Sequence, residues 1–265
     1  MHVALGIRYR GDAFHGWQSQ AEEVTLQDTL EAALARFLDT DERPRTVCAG
    51  RTDAGVHATA QVVDFETDVV RSEASWVRGV TQFLPPEMSV TWMREVDSDF
   101  SSRFSATERT YEYWIDNEPT PNPVTRNLAA WVFRPLDVEA MREASRPLLG
   151  EHDFTSFRAA ACQAKTPVRT VTEIAFTQAG PMIGIRIRAN AFLYHMVRNI
   201  VGALVYVGTG RCPVTWVGKV LDAKNRSVAA PTFAPEGLYF ADIRYPTHCA
   251  FPAACPTPWG HLFNR

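Results

Sequence analysis

Gly50-Arg51-Thr52-Asp53-Ala54-Gly55-Val56-His57 concentrates two glycines, a cation, a carboxylate and an imidazole in a single short link. The glycines match the front half of a phosphate-binding loop. Val56 and His57 then stand where its lysine and hydroxyl belong, so the contacts to β/γ-phosphate and magnesium are missing and nucleotide hydrolysis is disfavoured. Glycine and aspartate are also the commonest turn formers, and a tight strand connection in which Asp53 caps a turn accounts equally well for the spacing. The chemical alternative is a lone carboxylate kept ionised by a nearby cation, such as Arg51 two residues away or an arginine from elsewhere. A single carboxylate suits nucleophilic catalysis. Ordinary glycoside hydrolysis needs two carboxylates flanking the bond, and this segment supplies one.

The elements around this link read as βαββαβ. Val3, Leu5, Ile7 and Tyr9 alternate as in a half-buried strand, and Thr25 caps a helix whose Leu26, Leu30, Leu34 and Phe37 share a face. Strands over 45–49 and 58–65 flank the link. Ser72 opens a second helix through Phe83, stopped by Pro85 and Pro86, and Val90, Trp92 and Val96 mark a fourth strand. The second half repeats the order, with strands near 111–116, 168–177, 183–190 and 238–245 and helices near 138–149 and 193–207. A short helix over 214–221 is inserted. The fold expected is therefore α/β (α+β): two ferredoxin-like βαββαβ halves in a pseudo-duplicated, largely antiparallel mixed sheet with helices on one side. The expected divisions are 1–104 with the Asp53 link, 105–250, and a Pro-rich irregular tail over 251–265.

Composition bounds the function classes. At 265 residues, 46% hydrophobic and 22% charged, the chain is of ordinary globular make-up. Its longest apolar run, Ile200 to Val207, falls far short of the roughly 20 residues of a membrane span. Arg8 and Asp12 interrupt the amino terminus before a secretory core forms. The five cysteines are odd in number and scattered, which fits a reducing cytoplasm rather than a disulfide framework. Net charge is −3, yet all but Lys165, Lys219 and Lys224 of the 27 Lys and Arg residues are arginines. That bias suits phosphate recognition, and a GC-rich genome produces it as well. His248, Cys249, Cys255 and His261 are the only metal-like set, and their spacing is unlike that of structural zinc sites.

Gly50 to Ala58, GRTDAGVHA, resembles the catalytic loop of the TruA family of tRNA pseudouridine synthases. Further matches follow in the family's order: Tyr9 with Gly11, Phe14, Gly16, Trp17 and Gln18; Arg103 to Thr107 leading to Arg109 and Tyr111; and Asp153 to Arg158. Asn190-Ala191-Phe192 with His195 to Gly202, and Ala234 to Tyr239, complete the series over nearly the whole chain. The resemblance implies that Asp53 is the catalytic nucleophile, Tyr111 the ring packed on the target uracil, and Arg198 the cation paired with Asp53. It implies that Arg51 occupies or contacts the space left by the flipped base. It further implies uridine isomerisation at positions 38 to 40 of the tRNA anticodon stem-loop, no cofactor or metal, and a homodimer. The tail matches least.

Without the resemblance, Tyr111 and Tyr113 on one strand face read as core. Arg198 shares a helical face with His195 and Gly202, while Met196, Ile200 and Leu204 argue that the helix is buried, so a paired arginine fits there. His57 and His195 read as structural histidines. Two other functions remain: a silent RNA-binding protein, and a hydrolase in which Asp53 attacks a sugar and frees uracil.

Overall fold

The computed structural model describes residues 1–264, so Arg265, the last residue of the expected tail, lies outside the described residues. In chain order the strands are β1 (His2–Tyr9), β2 (Val47–Cys48), β3 (His57–Glu66), β4 (Met88–Val96), β5 (Glu108–Asp116), β6 (Ala130–Trp131), β7 (Gly150–Asp153), β8 (Val168–Ala179), β9 (Met182–Ala189) and β10 (Leu238–Arg244). The helices are α1 (Leu26–Leu38), α2 (Glu73–Phe83), α3 (Val138–Ser145), α4 (Met196–Gly208) and α5 (Trp216–Ala223). Two compact units divide the chain: Met1–Thr107 with Tyr239–Pro256, and Glu108–Leu238 with the chain from Thr257 onward. Both are discontinuous, which differs from contiguous ranges.

In the first unit the strands run β4-β1-β3-β2, the order of a split βαβ fold. β1 is antiparallel to both neighbours, so Val3, Ala4, Leu5 and Ile7 are all fully buried. Thr25 Oγ1 accepts from the Asp28 N–H at the start of α1, and Ser72 Oγ accepts from Ser75 N–H at the start of α2. α2 ends where Leu84 turns extended before Pro85. Trp76 of α2 joins the layers, its ring 4.8 Å from Phe37 of α1 and 5.9 Å from Phe65 of β3. Trp92 is paired with Gly6 in β1, on the face away from Phe65. There Phe251 stacks on Trp92 at 4.9 Å and meets Phe100 and Tyr245 edge-on. The Pro-rich segment after β10 is irregular, but it covers a sheet face.

β2 is shorter than the expected 45–49 and pairs with β3 only at Asp64 and Val63. The start of β3 is left for another strand, and β10 takes it in parallel, Tyr239 opposite His57 and Phe240 opposite Ala58. The last strand of the second βαββαβ series is thus counted with the first unit.

In the second unit β5, β9, β8 and β7 lie side by side, antiparallel throughout, and β6 joins β5 in parallel. The element order β5, α3, β8, β9, α4, β10 repeats that of the first half, so the mixed, mainly antiparallel α+β fold is as expected. α4 is apolar almost all round and nearly every residue is buried, as a core helix requires. It begins at Met196 rather than 193 because His195 is left-handed, at φ 61°. α3 stops at Ser145, and a 3-10 turn containing Pro147 follows where a longer helix was expected. On the sheet face away from Tyr113, Trp114 packs against Trp259 and Phe263 and donates to Thr257 Oγ1 at 3.3 Å. Thr257 donates in turn to Glu112, which also receives Arg186 at 2.8 Å. Among the described residues, no helix is long and apolar enough to cross a membrane.

Candidate active site

The link from Gly50 to Val56 sits in the first unit between β2 and β3. Several of its hydrogen bonds run to the turn after β1. Gly55 N–H donates to Gly11 O at 3.2 Å, and Gly11 N–H donates to His57 Nδ1 at 3.0 Å. That second bond makes buried His57 an acceptor, which puts the proton of the neutral ring on Nε2. Trp17 N–H donates to Thr52 O at 2.9 Å, and Val56 N–H closes a turn on Asp53 O at 3.1 Å.

Two glycines permit this closeness. A Cβ on Gly11 would lie 1.9 Å from Val56 O, and Gly16, at φ 89°, would place one 2.9 Å from Thr52 O. Inside the loop, Tyr9 Oη lies 2.8 Å from Thr52 Oγ1, and Gln61 Nε2 donates to Gly50 O at 2.7 Å. Within this frame Thr52 is buried, Asp53 is half-buried and Arg51 is exposed. Asp53 is therefore the one carboxylate of the link, reachable by solute and fixed by backbone on both sides. The histidine the sequence marked as structural is one of the fixing groups. Tyr239, whose ring lies tilted against His57 at 4.7 Å, has its phenol pushed up by burial.

Tyr111 and Arg198 belong to the second unit. Tyr111 is half-buried on β5, its ring edge-on to Phe192 at 5.0 Å. Tyr113, two residues on, is fully buried and donates to Ala234 O at 2.7 Å. Burial first and Glu236 second push its phenol well above the ordinary range, against the pull of Arg198. Of the tyrosine pair, Tyr113 is the core residue and Tyr111 the accessible one.

Arg198, in the first turn of α4, donates from Nε to Phe233 O at 2.8 Å, while Phe233 N–H returns to Arg198 O at 3.3 Å. Asn199 beside it is completely buried and ties three segments together. Its Nδ2 donates to Phe157 O at 2.8 Å, and its Oδ1 receives Thr232 at 2.7 Å and Arg226 at 3.1 Å. The backbone that receives Arg198 is thereby held by the residue next to it.

The sequence reading passed over Gln61, Tyr113 as a donor, and Asn199. Gln61 left a trace: it is the polar break among the inward positions Val63 and Phe65 of a strand. Asn199 and Phe233 left none, since their partners are main-chain carbonyls and residues far along the chain. Among the described residues, no three His, Cys, Asp or Glu side chains gather as a metal ion would need.

A family model described as tRNA pseudouridine synthase matches residues 144–246, a stretch that carries Arg198 but neither Asp53 nor Tyr111. Proteins called tRNA pseudouridine synthase A match nearly end to end. One from Bordetella petrii is 53% identical over 244 residues, covering 92% of this chain and 91% of that one. One from Burkholderia mallei is 50% identical over 265 residues, covering 99% and 97%. One from Paraburkholderia phytofirmans has the same identity and coverage.

Proposed function

The chain belongs to the tRNA pseudouridine synthase A family, and on that premise we propose that Asp53 is the nucleophile of an isomerisation at uridines 38, 39 and 40 of the anticodon stem-loop. The protein is a pseudouridine synthase whose substrate is tRNA. The reaction breaks the bond from C1′ to N1, turns the uracil, and joins C1′ to C5. A proton leaves C5 and one is taken up at N1, so neither water nor an oxidant is consumed. The target base has to leave its stack to reach a side chain at all. Asp53 acts at the nucleoside once it is flipped out, Arg51 takes up the space it vacates, Tyr111 packs on the uracil, and Arg198 supplies the positive charge that favours an ionised carboxylate. The enzyme works in the cytoplasm as a homodimer whose tRNA touches both subunits.

The observation that supports this reading is the setting of Asp53: a half-buried carboxylate, the one carboxylate of its link, on a loop pinned by Gly11, Trp17 and Gln61. A turn that served only to join two strands would not need such a frame. The test is chromatography of nuclease-digested tRNA after incubation with enzyme, on transcripts carrying a single uridine at 38, 39 or 40. Wild-type protein is expected to yield pseudouridine at each position, and the Asp53→Asn variant none, with tRNA affinity within a few-fold. Free uracil in the digest would instead mark a hydrolase. Appreciable turnover by Asp53→Asn would remove the nucleophile assignment.

A further inference from the structure

We propose that Gln61, in the middle of β3, is a positioning residue that sets the Asp53 loop through the Gly50 carbonyl. The inference rests on Asp53 being the nucleophile. Gln61 is fully buried opposite Ile7 of β1, on the face that carries the buried apolar Val63 and Phe65 on one side of it and the polar Thr59 on the other. Its Nε2 donates to Gly50 O at 2.7 Å and lies 3.4 Å from Tyr9 Oη. Tyr9 Oη is in turn 2.8 Å from Thr52 Oγ1. One amide therefore holds residue 50 directly and residue 52 through a tyrosine, and residue 52 directly precedes Asp53.

The other half of the amide marks its purpose. Gln61 Oε1 is buried with no hydrogen-bond partner among the described residues. A buried unsatisfied acceptor costs stability, and an apolar side chain of the same shape would remove that cost. Turning the amide over would face Oε1 with the Gly50 carbonyl, acceptor against acceptor, so the loop dictates which end points where. A core position that keeps a half-satisfied amide serves the loop at the expense of the core, the kind of local conflict expected where function sets the residue.

The Gln61→Met substitution keeps length and bulk and deletes the donor. Single-turnover isomerisation at saturating tRNA is expected to fall on the order of 10- to 100-fold, the scale of a small misplacement of a reacting group. The tRNA dissociation constant should stay within about twofold, because no tRNA contact is lost. The melting temperature should hold or rise. A lowered melting temperature with an unchanged rate per folded molecule would make Gln61 purely structural and overturn the proposal.

The Gln61→Glu variant supplies a second readout. A neutral carboxylic acid can still donate to Gly50 O, whereas the ionised form cannot, and burial raises its pKa. Its rate should be closest to wild type at acid pH and decline relative to wild type as pH rises through that raised value. Parallel pH profiles for the two enzymes would count against the proposal. Asp53→Asn is measured alongside. Turnover by that variant would sink the nucleophile assignment, whereas a dead Asp53→Asn beside a fully active Gln61→Met would sink the role of Gln61 alone.

Discussion

Replacing Gly11 with alanine tests how finely the Asp53 loop has to be set for the proposed chemistry. A Cβ at this position would fall 1.9 Å from the Val56 carbonyl oxygen and 2.5 Å from its carbon. Carbon and oxygen in close contact sit about 3.3 Å apart, so the two backbones must separate by roughly 1.4 Å. Both sides are main chain, and no rotamer change absorbs the clash. Gly11 is also bound to the loop by its own N–H, on His57, and by its carbonyl, on Gly55 N–H. Separation breaks these bonds or drags Val56, and Val56 N–H is bonded to the carbonyl of Asp53 itself. A misplacement of about 1 Å near a reacting group costs on the order of 100-fold. We expect that loss in the single-turnover rate, read as tritium release from 5-tritiated uridine in saturating tRNA, with little change in affinity by filter binding. Overpacking of this kind also lowers stability by about 1–3 kcal/mol, which thermal unfolding would show. A folded Gly11→Ala enzyme with a rate within about threefold of wild type would refute the reasoning.

Tyr111→Phe keeps the ring that meets Phe192 and removes only the hydroxyl. If that hydroxyl accepts the C5 proton, tRNA binding is retained and the single-turnover rate falls about 100-fold. A near wild-type rate would leave Tyr111 as packing. The cysteines should separate in alkylation. Burial pushes the Cys48 thiol up to about 12, despite Arg51 and Arg103 nearby. Burial also acts to raise Cys162, but N–H groups of Ala164 and Tyr194 and the charge of Arg158 bring it below the ordinary thiol range. Cys162 is therefore the more readily ionised of the two. Peptide mapping after brief iodoacetamide treatment should find Cys162 labelled first, and equal labelling of the two would contradict this.

Where the sequence spoke clearly, it spoke through periodicity and caps. α1 and α2 start at Thr25 and Ser72 because hydroxyl oxygens there take the first free N–H groups, and those residues are visible without coordinates. Strands β6 and β7 were not visible. At two and four residues they are too short to show alternation, and a neighbouring strand creates them. The start of α4 was misread by three residues because nothing in the letters Leu193-Tyr194-His195 announces a left-handed histidine. The candidate site divided along the same line. Asp53 and its glycines stand together in one short run, so they could be singled out without coordinates. The framing roles of Gly11, Gln61 and Asn199 depend on partners 45, 11 and 42 positions away, namely Val56, Gly50 and Phe157, and only folding brings these together.

The pairing of β10 with the start of β3 has a consequence for the order in which a growing chain matures. The edge of β3 at His57 and Ala58, directly after the Asp53 loop, takes its partner from Tyr239 and Phe240. On a ribosome, those partners are made long after β3 itself. At bacterial-scale rates of roughly 5–20 residues per second, the nascent first unit waits on the order of ten to thirty seconds with that edge open. An open strand edge invites the wrong neighbour. The same arrangement delays His57 from receiving the Tyr239 ring that packs against it. The nascent chain therefore completes the surroundings of the Asp53 loop only after β10 is made, and a fragment released before then lacks the strand that closes this edge.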